Sequence, residues 1–165
     1  MIKQNLNIFS QNVRKNKVLT DIILESNKNS TDIVFIQEPF RSLIRRVPSH
    51  SNPEGDPIFG MPNHPEWTLF TRPNLSQDDY PRVATYVNKR LSKLRFSLRL
   101  DIVNHRDISV LAFHSDRITN FIINIYSDSN QTALHYLRQN IINLEGTIIM
   151  TGDFNIRDSD WDPNF

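Results

Sequence analysis

Apolar and polar positions change period several times along the chain, and each change marks an element. In "LNIFSQN" (6–12), Leu6, Ile8 and Ser10 alternate with Asn7 and Phe9, the two-residue period of a strand. "KVLTDIILES" (17–26) places Val18, Ile22 and Glu25 at helical spacing, with Leu19, Ile23 and Leu24 widening the apolar face. "DIVFIQE" (32–38) is a short unbroken apolar run, as in a strand covered on both faces. Strand, helix and strand in this order predict a βαβ unit with a parallel pair.

Residues 39–66 carry Pro39, Pro48, Pro53, Pro57, Pro62 and Pro65 with Gly55 and Gly60, which predicts a long loop without regular elements. Loops of this length inside a domain are usually functional or disordered. Strand patterns then return in "WTLF" (67–70) and "RVATYV" (82–87). "LRFSLRLDI" (94–102) alternates strictly, which predicts a half-exposed antiparallel strand pairing with "ISVLAFHS" (108–115). "FIINIYSD" (121–128) is a further apolar strand. "SNQTALHYLRQNIINL" (129–144) carries the stripe Leu134, Leu137, Ile141 and Leu144 of a helix, with Asp128 or Ser129 as its cap. "TIIMTGD" (147–153) reads as a buried strand. The whole order predicts an α/β fold with two mixed sheets face to face and helices outside.

Composition narrows the function. The 165 residues suffice for one domain with a real core, and 38% hydrophobic with 22% charged residues is a globular balance. There is no cysteine, which excludes disulfides, thiolate metal sites and a cysteine nucleophile. No apolar run approaches a membrane span, and the N-terminus lacks the apolar stretch of a signal peptide, so an intracellular protein is expected. Net charge is only +1, but seven Lys/Arg stand against Asp101 alone between Arg82 and Arg106, while acids dominate from Glu145 onward. That distribution suits a polyanion held near a carboxylate site, and equally two solvated faces of different sign.

Polar groups follow apolar runs at four strand ends: Asn12, Glu38, Tyr126 and Asp153, with Asn155 just beyond. Strand ends hold catalytic groups rigidly while the next loop admits substrate. Glu, Asp and Asn are hard oxygen ligands suited to Mg²⁺ or Mn²⁺. Such an ion, a carboxylate base and neutral donors are what hydrolysis of a phosphate ester requires. Taken singly each residue has a plainer reading: a turn Asn, a solvated strand-end Glu, a "GDFN" turn, a core aromatic. Their order and spacing together point to a site.

"SQNVRK", "DIVFIQEPF", "IINIYSD" and "IIMTGDFN", in this order, resemble the endonuclease/exonuclease/phosphatase superfamily. Among its branches the chain is most similar to the endonuclease domain of fungal non-LTR retrotransposons. "PRVATYVNKRLSKLRFSLRLDIVNHRDISVLAF" and the terminal "GDFNIRDSDWDPNF" fit the same group, so residues 1–165 read as one domain. The resemblance implies a four-layer α/β sandwich, two mixed β-sheets flanked by helices, and metal-dependent hydrolysis with Mg²⁺, or Mn²⁺ in its place. It implies DNA as partner and substrate, or phosphorylated lipids and inositols in other branches, and nuclear access for a retroelement enzyme.

Residue by residue, the resemblance makes Glu38 the direct metal ligand, with Asn12 orienting it at the metal's edge. Asp153 positions or activates the attacking water, Asn155 donates to the scissile phosphate, and Tyr126 contacts that phosphate. Arg14, Arg41 and the basic stretch starting at Arg82 are candidate contacts to the nucleic-acid backbone. The family pattern continues to a late Ser-Asp-His that has no counterpart here, since His50, His64, His105, His114 and His135 all precede Asp153. A C-terminal part is therefore expected to be missing, leaving strand edges and apolar faces exposed. Asp158, Asp160 and Asp162 read as a solvated acidic loop or an added metal contact. Besides a DNA endonuclease, the expectations include a phosphatase of small phosphoesters, whose pocket the loop 39–66 would shape, and an inactive nucleic-acid-binding remnant.

Overall fold

A computed structural model of the chain describes residues 5–73, 79–115, 118–141 and 144–156. β1 (Ile8–Asn12), α1 (Lys17–Asn27) and β2 (Ile33–Gln37) form the expected unit, with β1 and β2 parallel and Asn12 opposite Gln37. Asn16 starts α1, its side-chain oxygen accepting from the Leu19 N–H at 3.0 Å. The helix buries Thr20, Ile23 and Leu24 and leaves Val18 and Ile22 outside, so the buried stripe lies a quarter-turn from the one the spacing favours. β5 (Trp67–Phe70) and β6 (Val83–Asn88) add antiparallel to β2, giving the order β1-β2-β6-β5.

The second sheet repeats the plan. β9 (Ile118–Tyr126), α2 (Thr132–Asn140) and β10 (Thr147–Asp153) form another βαβ unit, with Tyr126 opposite Asp153 in a parallel pair. β8 (Ile108–Ser115) and β7 (Ser97–Leu98) follow, in the order β10-β9-β8-β7. α2 is shorter than the apolar stripe, and its cap position is Gln131 in left-handed geometry without a side-chain bond. Asp128 still contributes, accepting from both the Thr132 N–H and hydroxyl.

Alternation assigns the layers. In β2, Val34 and Ile36 face α1, together with Ile23, Leu24, Ala84 and Tyr86. Ile33 and Phe35 point the other way, into a cluster with Val87 of the same sheet and Leu111, Phe113 and Ile122 of the facing sheet. In β9, Phe121, Ile123 and Ile125 lie under Ala133 and Leu137 of α2. The stack is helix, sheet, sheet, helix, the four-layer sandwich. Buried amides cross the middle: Gln37 Nε2 donates to Asn124 Oδ1 at 2.6 Å, and Asn124 Nδ2 to the Ala84 carbonyl at 2.9 Å.

Three expectations need correction. Residues 39–66 contain a hairpin, β3 (Ser42–Val47) paired with β4 (Asp56–Gly60). It is two-stranded, so Pro57 needs no N–H for a third strand, and Pro48 and Pro53 fall in its turn. The alternating stretch 94–102 is a strand only at Ser97–Leu98; a 3₁₀ turn occupies Lys89–Leu94, capped by the Asn88 side chain and closed by Arg95 at φ 48°. Its period is satisfied differently, with Leu91, Leu94, Phe96 and Leu98 covering the inter-sheet cluster. β10 is not buried: Thr147–Met150 are exposed, because the strand pairs with β9 on one side and with no described strand on the other. Asp158, Asp160 and Asp162 lie outside the described residues.

Candidate active site

The strand ends that carry Asn12, Glu38, Tyr126 and Asp153 come together because both parallel pairs finish at the same end of the sandwich. Asn12 closes the gap between the two sheets. Its oxygen accepts the Arg14 N–H at 2.9 Å, which turns the amide group inward. That group donates to Glu38 Oε2 at 3.1 Å and to Asp153 Oδ2 at 2.7 Å. One side chain thus holds two carboxylates that lie 115 residues apart in sequence, at 38 and 153. Asn12, Arg14 and Asp153 line an open cleft of about 400 Å³.

The backbone here is forced into shapes that side chains disfavour. Glu38 has φ 47°, Arg14 48°, Lys15 59° and Asn155 46°, all left-handed. Glu38 is held there from both sides: its N–H donates to the Arg82 carbonyl at 2.8 Å and its carbonyl accepts from Lys15 at 2.7 Å. At Gly152 the close approach of β9 dictates the residue, since a Cβ would stand 1.9 Å from the Ile125 oxygen. Asp153 is steadied through Asn155, whose N–H donates to Asp153 Oδ1 at 3.2 Å. The Asn155 side chain itself donates to the Ser127 carbonyl at 2.6 Å.

Residues 5–165 match the Endonuclease/Exonuclease/phosphatase family. The chain belongs to that family. Among solved structures, the endonuclease domain of TRAS1, a telomere-specific non-LTR retrotransposon, superposes with a TM-score of 0.66 at 15% identity over 94% of this chain. The chain spans 63% of that domain's length. An endonuclease/exonuclease/phosphatase family protein from Leptotrichia buccalis gives a TM-score of 0.54 at 13% identity, over 92% of this chain and 67% of that one. Both likenesses show the shared fold. No curated protein matches significantly.

In this family member the remaining charges are arranged by the strands around the site. Arg82 enters β6 and forms two bonds, 2.5 and 2.6 Å, to the buried carboxylate of Asp107. Its guanidinium lies 4.5 Å from the centre of the Tyr126 ring. Asp107 in turn accepts the Tyr126 N–H on its carbonyl at 2.9 Å. The pair therefore ties the Glu38 end of one sheet to the Tyr126 end of the other. Arg90 and Arg99 of the same basic stretch are likewise paired in place, with Asp32 and Asp101. Tyr126 is held above the ordinary phenol range by burial and by Glu38, so its hydroxyl stays protonated.

Asp107 and the Gln37–Asn124 bridge escaped sequence reasoning. Oppositely charged residues opening two strands, Arg82 and Asp107, were the available signal for the first; an amide inside each of two apolar runs was the signal for the second. Arg14 lines the cleft beside Asn12, whereas Arg41 lines a different pocket with Phe59 and Met61. His114 is exposed and bonds Thr119, and His135 is exposed on α2.

A divalent cation fits the donor set. Glu38 and Asp153 converge on one amide, and neither has an ion-pair partner among the described residues. Two adjacent, uncompensated carboxylates are what such an ion neutralises. No three His, Asp or Glu side chains converge among the described residues; magnesium is commonly held by one or two carboxylates with water and substrate phosphate completing the shell. The Asn12 nitrogen that faces the carboxylates is a donor, so Asn12 can ligate only through its oxygen.

Proposed function

We propose that this chain is a Mg²⁺- or Mn²⁺-dependent phosphodiesterase that nicks DNA. The observation that carries the reading is the Asn12 amide binding Glu38 and Asp153 at once, which assembles the site from both sheets. Glu38 would hold the cation, its carboxylate kept in place by the Asn12 amide group. When bound, the ion supplies charge neutralisation at the phosphoryl oxygens. Asp153 orients a water in line with the phosphorus and takes its proton, its own position set by Asn12 and by the Asn155 N–H; the P–O bond opposite breaks, and the departing sugar oxygen takes up a proton from solvent. The protonated Tyr126 hydroxyl, which bonds no described residue, donates to a non-bridging oxygen. Asn155 adds a donor to the same phosphate once its second N–H faces the cleft.

Family membership and the resemblance to a retrotransposon endonuclease domain support DNA as the substrate. No helix among the described residues is long and apolar enough to cross a membrane. Nicking of supercoiled plasmid, with Mg²⁺, with Mn²⁺ and with EDTA, beside Glu38→Ala, tests the proposal. Metal-dependent nicking that Glu38→Ala abolishes supports it. Equal behaviour of the two proteins, or hydrolysis of a small phosphomonoester without nicking, sinks the DNA reading.

A further inference from the structure

Arg41 lies three residues beyond Glu38, where the chain leaves β2 for the β3–β4 hairpin. Its guanidinium stands 4.1 Å from the ring centre of Tyr80 and 5.4 Å from that of Phe59. It makes no hydrogen bond or ion pair to any described residue. The arginines around it differ: Arg72 is bound by Asp79 and Asn104, and Arg82 by Asp107. Partial burial pulls the Arg41 pKa below the ordinary arginine range, against the smaller opposite pull of Tyr80.

The same guanidinium lines a pocket of about 280 Å³. Phe59, Met61 and Leu69 supply apolar walls, Asn63, Thr71 and Arg72 supply polar groups, and no acid is among the described residues that line it. A site of this chemistry takes an anion attached to a flat, apolar body. Three residues reach at most about 11 Å along the backbone, so the Arg41 side chain leaves the chain close to Glu38.

We infer that this pocket receives one nucleotide of the DNA strand beside the scissile phosphate, its phosphate on Arg41 and its base against Met61 and Leu69. The inference rests on the reading of the site as a DNA phosphodiesterase, and it makes the hairpin 42–60 the wall that selects how the strand leaves the cleft. The phosphate would give Arg41 the anionic partner it has not found among the described residues.

The test is binding by the full chain in EDTA, where hydrolysis plays no part. The probes are a fluorescein-labelled single-stranded oligodeoxynucleotide, the same strand with one abasic position, thymidine monophosphate, thymidine and inorganic phosphate. The variants are Arg41→Gln and Ile44→Glu; Ile44 is 61% exposed at the pocket mouth, so its change leaves the core intact. Each is expected to weaken oligonucleotide binding about tenfold, the effect of losing one stacked base or one close phosphate contact. One abasic position is expected to weaken wild type and to leave Ile44→Glu unchanged. The Arg41 side-chain N–H resonance is expected to shift with the oligonucleotide and with thymidine monophosphate, and not with thymidine.

Wild-type affinity in Arg41→Gln, or an Arg41 resonance that ignores both nucleotide probes, overturns the inference. A shift with inorganic phosphate or the mononucleotide but not the strand also overturns it, and reassigns the pocket to small phosphoesters. Failure of plasmid nicking while Arg41 still reports the strand would sink the hydrolase reading and leave the nucleotide pocket standing.

Discussion

Asn124→Leu is expected to unfold the sandwich more readily than any surface change, although it replaces a polar residue by an apolar one in an apolar strand. Asn124 is fully buried and Gln37 is 1% exposed. The substitution removes the 2.6 Å bond from Gln37 and the 2.9 Å bond to the Ala84 carbonyl. Gln37 keeps only Ser10, at 3.1 Å. Each orphaned group costs about 1–3 kcal/mol. Not burying the Asn124 amide offsets about 1–3 kcal/mol of the total. The net loss is roughly 1–3 kcal/mol, a fall in Tm of about 2–12 °C for a chain of this size. Urea unfolding followed by circular dichroism reads it directly. Replacing both partners, Gln37→Leu with Asn124→Leu, is expected to recover at least about 1 kcal/mol relative to the sum of the single changes, because no amide is then left alone. Wild-type stability in Asn124→Leu, or strict additivity in the pair, would refute the reasoning.

Gly152→Ala is expected to cost at least about 3 kcal/mol, or to prevent folding, since the new methyl meets the Ile125 carbonyl at 1.9 Å and φ is +153°; yield and Tm check it. Arg82→Gln is expected to lose about 3 kcal/mol by stranding the buried Asp107 carboxylate, while the salt dependence of DNA binding stays unchanged; a smaller slope would place Arg82 on a phosphate instead. His105 has its pKa lowered by burial, and its Nδ1 accepts the Asp107 N–H, so it is neutral when folded. The unfolded chain then binds the extra proton, and stability is lost as pH falls below the unfolded value of about 6.5. His105→Phe, which keeps a ring against Tyr136, is expected to flatten the slope of Tm between about pH 5 and 7; an unchanged slope would show that other groups set it.

The layers were legible where burial is two-sided or one-sided throughout. Val34 and Ile36 against Ile33 and Phe35 could serve only a strand with apolar neighbours on both faces, and "TALHYL" could serve only a helix on one. The polar ends Asn12, Glu38 and Asp153 were legible because each interrupts an apolar run. Local hydrogen bonds hid the rest. The Asn88 cap converts an alternating stretch into a 3₁₀ turn, and nothing in "LRFSLRLDI" reports the cap that precedes it. The hairpin 42–60 was hidden by its prolines, which a two-stranded ribbon tolerates. Partners far apart in sequence, such as Arg82 with Asp107 or Gln37 with Asn124, exist only once two sheets are stacked. Periodicity along one strand carries no record of them.

Left-handed φ at Arg14, Lys15 and Glu38 has a consequence for lineages and for redesign. An L side chain in that geometry costs roughly 1 kcal/mol or more relative to glycine. A procedure that ranked substitutions by folding free energy alone would place glycine or asparagine at these positions early, long before touching Leu24 or Ile122. A copy in which the proposed hydrolysis no longer mattered would drift the same way. Glycine at position 38 in another member of the family would therefore mark a fold that gave up the carboxylate held by Asn12 and gained stability in exchange.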